Sequence, residues 1–309
     1  MISVVIPLYN KQNSIVATLQ SVFAQTYTDY EVIVVDDGST DDSANVAETT
    51  LREFCKNHSN YNLEFKVVRK KNGGVSSARN EGIRQSKYDY VAFLDADDYW
   101  EPKYLEIQKT LIRDFPEAKM WGTAWGLMNG NNKQEGHGVR IAEEYRGVLD
   151  ATTYFSNKMY LYWTSIVIVD KRIFEQIEMF DERLSCGEDV DLWWRIILHY
   201  PVAYVNKCMA YYKQDTENRL MLSSPKLQSH FVYYIEKYDE YYEMCHAFKC
   251  YLQTEALGHL YKYFLADPDN TDIKRILNHV DFSLLPFSYK LRYSYPKLYK
   301  ILSALRNRK

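Results

Sequence analysis

Tyr90-Val91-Ala92-Phe93-Leu94-Asp95-Ala96-Asp97-Asp98 joins an apolar run directly to a cluster of carboxylates. Tyr90–Leu94 has the length and unbroken apolarity of a strand buried on both faces. Such a strand delivers whatever follows it to the rim of a sheet. Carboxylates crowded there repel one another and are costly out of water unless positive charge sits among them. A hard divalent cation, Mn²⁺ or Mg²⁺, meets that need, because it takes oxygen ligands and bridges to phosphates. The run alone also fits a solvated acidic turn, with Asp98 capping the next helix.

The same pattern occurs twice upstream. Ile2-Ser3-Val4-Val5-Ile6 runs into Pro7-Leu8-Tyr9-Asn10, and Glu31-Val32-Ile33-Val34-Val35 runs into Asp36-Asp37-Gly38-Ser39. Between these runs, Ile15, Leu19, Val22 and Phe23 recur at helical spacing, as do Ala44, Ala47, Leu51 and Phe54 behind a cap at Asp41 or Asp42. Phe65–Val68 predicts a further strand, and Gly73-Gly74 a turn into a helix through Ala78, Gly82 and Ile83. Alternating strands and helices predict an α/β fold, a Rossmann-like and mostly parallel sheet flanked by helices. Such sheets bind ligands beyond the carboxyl ends of their strands, which is where these polar segments collect. Asp37 is placed to accept a hydrogen bond from a base, or is a turn residue beside Gly38. Arg79 suits a phosphate or ribose, or is a surface arginine. Neither GxGxxG nor GxxxxGK[ST] is present, so a dinucleotide fold and a P-loop enzyme are unsupported.

Further along, residues 129–138 form a polar loop, Ser165–Val169 predicts a strand, and Glu188–His199 predicts a helix burying Leu192, Trp193, Ile196 and Ile197. Asp191 and Arg195, four apart, are expected to pair on the helix surface. Glu188 and Asp189 open that helix, where its dipole favours acids. They are plain N-terminal acids, or Asp189 is a base at a cleft lined by indoles. The chain becomes helical and aromatic after residue 221. The expected division is a catalytic domain over 1–220, with a nucleotide-binding half 1–105 and an acceptor half 106–220, and a helical C-terminal appendage over 221–309.

With 309 residues, 46% hydrophobic, the chain is long enough for that arrangement. Its net charge of -3 lacks the basic excess of a duplex-binding protein, so no nucleic acid is expected as partner. Five scattered cysteines without a CxxC pair argue against a zinc site or disulfide framework and for a reducing compartment. Neither a basic leader nor an apolar span of the ~20 residues a bilayer requires is evident. Beyond Asp281 every charged side chain is basic, from Lys290 to Lys309. That tail suits either an anionic membrane surface or a packed helical end with solvated cations. The expected location is cytoplasmic, with peripheral contact at the inner face of the cytoplasmic membrane under the first of these two readings.

Taken together, Val4-Val5-Ile6-Pro7-Leu8-Tyr9-Asn10, Val34–Asp41, Gly74-Val75-Ser76-Ser77-Ala78-Arg79-Asn80, Phe93–Asp98 and Gly187-Glu188-Asp189 resemble, in order and spacing, the motifs of family-2 glycosyltransferases of bacterial polysaccharide and lipopolysaccharide synthesis. The resemblance covers roughly residues 1–215. It implies the GT-A fold, a nucleotide-sugar donor (UDP-hexose or UDP-N-acetylhexosamine by default), a divalent cation, Mn²⁺ or Mg²⁺, and inverting transfer to a glycan or lipid-linked saccharide. It implies that Pro7, Tyr9 and Asp37 line the base pocket, that Arg79 holds the nucleotide, and that Asp95 contacts ribose. Asp97 would hold the metal on the diphosphate, with Asp98 sharing either role. Asp189 would be the catalytic base, supported by Glu188, with Trp163, Thr164 and Trp193 as sugar contacts. One departure concerns a downstream histidine found in many relatives: the comparable stretch Tyr211–Arg219 has none. Asp215 is the expected substitute at the metal, and Arg219 the expected diphosphate contact. Two rival readings are a sugar nucleotidyltransferase, which needs a glycine-rich loop after the first strand that Pro7–Lys11 lacks, and a non-catalytic nucleotide- or carbohydrate-binding protein, which would not need Glu188 and Asp189.

Overall fold

A computed structural model describes residues 1–58, 63–136, 138, 140–217 and 225–296. The chain forms two compact units, Met1–Asp150 with Met159–Ser224, and Ala151–Lys158 with Pro225–Lys309. The boundary expected at 220/221 lies outside the described residues.

The first unit begins with β1 (Ile2–Leu8), α1 (Ile15–Phe23), β2 (Tyr30–Asp36), α2 (Ser43–Asn57), β3 (Glu64–Arg69), α3 (Val75–Gln85) and β4 (Tyr90–Phe93). It continues through β5 (Tyr99–Trp100), α4 (Tyr104–Asp114), β6 (Met120–Asn129), β7 (Asn132–Gln134) and β8 (Arg146–Leu149). After α5 (Ala151–Ser156), which belongs to the second unit, come β9 (Val167–Asp170), α6 (Glu188–His199) and β10 (Val202–Lys213). One sheet runs β3-β2-β1-β4-β9-β6-β10-β5, with β7 on β6 and β8 on β10. β3, β2, β1 and β4 are parallel, and β9 enters antiparallel to β4 and β6.

β1 and β2 are buried along their whole length, as a doubly covered sheet requires. Their internal polar groups are satisfied: Ser3 Oγ and the Lys87 amide both donate to Glu31 Oε1, each at 2.7 Å. Helix α3 lies so close to β1 that a Cβ on Gly82 would fall 2.2 Å from Val5 Cγ1. The chain winds outward from β1 to β3 and then returns to place β4 on the other side of β1. That reversal is a topological switch point, where open α/β sheets open a crevice for ligand. The segments following β1 and β4 are Tyr9–Lys11 and Asp95–Asp98.

Two local expectations change. The predicted strand over Ser165–Val169 is split: Thr164–Ile166 is a 3₁₀ turn, and β9 covers Val167–Asp170. The turn lets Ser165 serve the acidic run, as described below. Asp191 and Arg195 do pair, at 3.0 Å, but inside the protein rather than on the helix surface. Arg195 also donates to the carbonyls of Glu178 and Met179, at 2.8 Å to the latter, and so ties the segment before α6 to the helix.

The second unit contains α5, α7 (His246–Ala266), α8 (Thr271–His279), α9 (Phe287–Ser294) and a 3₁₀ segment over Phe231–Tyr241. Phe155 of α5 packs on Phe248 and Tyr251 of α7, with ring centroids 4.8 and 5.2 Å away. Tyr238, Tyr251 and Tyr293 are buried here, so much of the aromatic content of this half builds its core.

Candidate active site

The loops after β1 and β2 are tied together. Asn10, at φ 51°, donates its amide to Ser39 Oγ at 3.0 Å and accepts the Thr40 amide on its side chain at 2.8 Å. Tyr9 is 45% exposed at the switch point, while Pro7 is buried opposite Val35. Asp37 is buried and already engaged. It accepts from Lys70 Nζ at 2.6 Å and from the amides of Gly73 and Gly74 at 3.0 and 2.7 Å. Its carboxylate therefore shapes the turn that starts α3. Gly38 makes this approach possible: its φ is 73°, and a Cβ there would stand 2.8 Å from the Asn72 amide nitrogen.

The acidic run is divided in three by its surroundings. Thr18 Oγ1 of α1 donates to the carbonyls of Ala96 and Asp98, at 3.0 and 2.9 Å, and fixes the turn. Asp98 points into the core at 1% exposure, takes the Ser165 hydroxyl on Oδ2 at 2.6 Å, and leaves Oδ1 without a partner. Burial, then the charges of Asp97 and Asp95, hold its carboxyl well above the ordinary carboxylate range. Asp98 is thus a buried group that packs the turn, whereas its neighbours face more open surroundings. Asp97 is more open and pairs with Lys11 Nζ at 2.6 Å, and Thr216 Oγ1 donates to the same oxygen at 2.9 Å. Asp95 pairs with Arg79 at 2.8 Å, and its amide donates to Ser165 Oγ at 3.1 Å.

Arg79 is not a surface group. It is 3% exposed, lies 5.3 Å from the Phe180 ring centroid, and spans two carboxylates, Asp95 through Nη2 and Glu188 Oε1 through Nη1, both at 2.8 Å. It thus joins the acidic run at the end of β4 to the N-terminus of α6. Gly187, at φ 74°, turns the chain into that helix. Asp189 follows, partly exposed, accepting the Thr164 hydroxyl at 3.2 Å and its neighbour's amide, Val190 N, at 2.8 Å. Burial, then the charge of Glu188, push its carboxyl up to about 6 against the pull of Arg79. A base of that pKa is ionised at neutral pH and still able to hold a proton.

Thr164 is 1% exposed, and Trp193 is buried at 2% between Phe93 and Phe180, so Trp193 belongs to the core. Trp163 is half-exposed, its ring 5.2 Å from Trp125 and 5.7 Å from Tyr212, both also half-exposed. Asp215 accepts the Gly130 amide at 3.1 Å, and from its segment it is Thr216 that reaches Asp97. Arg219 lies outside the described residues. Sequence reading missed Lys11, Lys70, Trp125, Ser165, Tyr212 and Thr216. Lys11 carried a signal, a cation at the same sheet end as Asp97. The others come from segments remote in sequence, and nothing in their local pattern marks them.

The model of glycosyl transferase family 2 matches residues 3–177. The glycosyltransferase GlyA of Streptococcus pneumoniae is 32% identical over 69% of this chain and 30% of its own length. Chondroitin synthase of Escherichia coli is 29% identical over 67% of this chain and 28% of its own length. The chain thus spans about a third of the length of these curated relatives. Among solved structures, Staphylococcus aureus TarS residues 1–349 in complex with UDP-GlcNAc aligns with a TM-score of 0.60 and 18% identity, over 95% of this chain and 73% of that one. Its complex with UDP aligns with a TM-score of 0.57 and 19% identity, over 82% and 64%. The likeness to TarS is one of fold, the GT-A arrangement of a central sheet flanked by helices. With the family match covering more than half of its length and including Tyr9, Asp37, Arg79 and Asp95–Asp98, the chain is a member of glycosyl transferase family 2.

Proposed function

We propose that this glycosyltransferase moves a hexosyl or N-acetylhexosaminyl group from a UDP-sugar, with inversion, to a glycan or lipid-linked saccharide of a cell-surface polysaccharide. The observation that carries this reading is the Arg79 bridge, which couples Asp95 on the donor side to Glu188 beside Asp189. A UDP donor is supported by the TarS complexes with UDP and UDP-GlcNAc. Tyr9 stacks on the base, Pro7 backs it, Asp37 meets its imide while holding the Gly73-Gly74 turn, and Asp95 takes the ribose. Arg79 acts on the nucleotide through Asp95.

In the reaction, an acceptor hydroxyl attacks the anomeric carbon on the face opposite the diphosphate. The new C–O bond forms as the bond to the diphosphate oxygen breaks. The hydroxyl proton passes to Asp189, with Thr164 fixing that carboxylate and Glu188 raising its basicity. UDP departs with the bonding electrons. Trp163, beside Trp125 and Tyr212, offers the acceptor sugar an aromatic face.

Among the described residues no three His, Cys, Asp or Glu side chains are grouped to hold a metal ion. Mn²⁺ or Mg²⁺ at nucleotide sites is commonly held by one or two carboxylates with substrate phosphates completing the shell. Asp97, with Asp95 near it in the same turn, fits a cation of that kind, whereas buried Asp98 does not. The cation would supply Lewis-acid stabilisation of the departing diphosphate.

Transfer assays with a panel of nucleotide sugars and Mn²⁺ test the proposal. Hexosyl or N-acetylhexosaminyl transfer from a UDP-sugar with inverted anomeric configuration is expected. Retention of configuration, or no transfer from any UDP-sugar, overturns it.

A membrane-bound acceptor is favoured by one feature of the second unit. Phe287 is 74% exposed at the start of α9, and Tyr295 is 64% exposed just beyond its end, with the exposed Lys290 between them. Aromatic and cationic side chains so placed suit an anionic lipid surface. Among the described helices none is long and apolar enough to cross a membrane.

A further inference from the structure

Lys11 is committed more tightly than a nucleotide-facing loop residue needs to be. It is 9% exposed, and its amide donates to Ser43 Oγ at 2.7 Å. Its ammonium donates to Asp97 Oδ2 at 2.6 Å and to the Glu217 carbonyl. Thr216 Oγ1 donates to the same Asp97 oxygen at 2.9 Å. The Glu217 carboxylate in turn accepts the Asn13 amide at 3.1 Å and the Ser14 hydroxyl at 2.5 Å. The segment leaving β10 is therefore strapped across Asp97 and the end of β1, and Lys11 is the charge at the centre of the strap.

A cation approaching Asp97 competes with this arrangement. Two donors already fill Oδ2, and an ammonium and a divalent ion repel each other at one carboxylate. A cation that takes this oxygen displaces Lys11, and with it the contacts that hold Thr216 and Glu217. A displaced ammonium beside a diphosphate finds a stronger partner than water, since lysine binds phosphate as a point charge. We propose that Lys11 is a built-in counter-ion and positioning residue: it keeps the 216–217 strap over Asp97 until the divalent cation and donor diphosphate displace it, and then pairs with that diphosphate. This rests on the reading that Asp97 receives the cation.

The test combines Mn²⁺ and Mn²⁺·UDP titrations with amide hydrogen exchange over residues 215–217, in the full chain and in Lys11→Met and Lys11→Arg. In the unsubstituted protein Mn²⁺·UDP should speed exchange of the strap several-fold. In Lys11→Met the strap should exchange fast without ligand. Mn²⁺ alone should bind about tenfold more tightly, as expected when a competing closed state is removed, and UDP should bind more weakly in the presence of Mn²⁺. Lys11→Arg should restore strap protection. Binding of Mn²⁺·UDP without any change at 215–217, or a Lys11→Met protein with unchanged Mn²⁺ affinity and strap exchange, overturns the exchange of partners while leaving the cation site standing. Failure of the unsubstituted protein to bind Mn²⁺·UDP overturns both. If Lys11→Met does not fold, Ser14→Ala removes one anchor of the strap; it should speed exchange at 215–217 and tighten Mn²⁺ binding, and no change in either overturns the proposal.

Discussion

At the scale of single residues, environment separates carboxylates that look alike in sequence. Asp95, Asp97 and Asp98 stand within one turn, yet one pairs with arginine, one with lysine, and one is sealed with a serine. Asp189 is raised to about 6 by burial first and by Glu188 second. In its proposed role as base it must be ionised, so kcat/KM should fall about tenfold per pH unit below about 6. Asp189→Asn should lose roughly 10²–10⁴ in kcat while UDP affinity stays nearly intact; near-normal turnover would remove Asp189 from the role. Asp98 offers a stability test. Its folded pKa is raised, so its stabilising contribution is full below the unfolded value of ~3.9 and is lost as pH rises through the folded value. Asp98→Asn should therefore flatten the decline of the urea midpoint between acid and neutral pH; an unaltered pH profile would contradict the assignment.

At the scale of elements, Arg79 decides how α3, the β4 turn and α6 work together. A buried arginine holding two carboxylates is costly to break, because it leaves their charge uncompensated, by about 3–5 kcal/mol. Arg79→Met should lower stability by that order. Arg79→Lys keeps the charge but not the planar fork, so it should fold more stably than Arg79→Met and still lose transfer; equal activity of Arg79→Lys and the unsubstituted protein would show that the bridge has no catalytic bearing. Gly82 governs a different contact, the approach of α3 to β1. Gly82→Ala places a methyl 2.2 Å from Val5 Cγ1, and overpacking of this kind costs about 1–3 kcal/mol, measurable as a lowered urea midpoint.

At the scale of the whole molecule, the chain carries a family-2 catalytic unit and a second, mostly helical unit. The second unit uses its aromatic residues largely on itself. Even Arg292, counted with the basic tail in sequence, lies 3.6 Å from the Tyr261 ring centroid. Phe287, Lys290 and Tyr295 stay outside that packing. Flotation with anionic and neutral vesicles should show salt-sensitive binding to the anionic ones only, reduced several-fold in Phe287→Ser/Lys290→Ser. Equal recovery on both vesicle types would exclude a charge-directed membrane contact.

Sequence by itself determined the parallel half of the sheet and the place of the site. Apolar runs such as Ile2–Ile6, Glu31–Val35 and Tyr90–Leu94 encode buried strands locally, and the polar residues that follow them must then meet at one sheet edge. The α6 boundaries were legible for the same reason, because Glu188–His199 carries its own helical periodicity and acidic start. Tertiary structure alone decided what each polar group does. Arg79 became a bridge, Asp98 a buried acid, Asp37 a turn clamp and Trp193 core, because their partners Glu188, Ser165, Gly74 and Phe93 lie tens of residues away in the chain. The 3₁₀ turn at Thr164–Ile166 belongs to the same class: β-propensity favours a strand there, and the contacts of Ser165 with Asp95 and Asp98 run through the turn that replaces it.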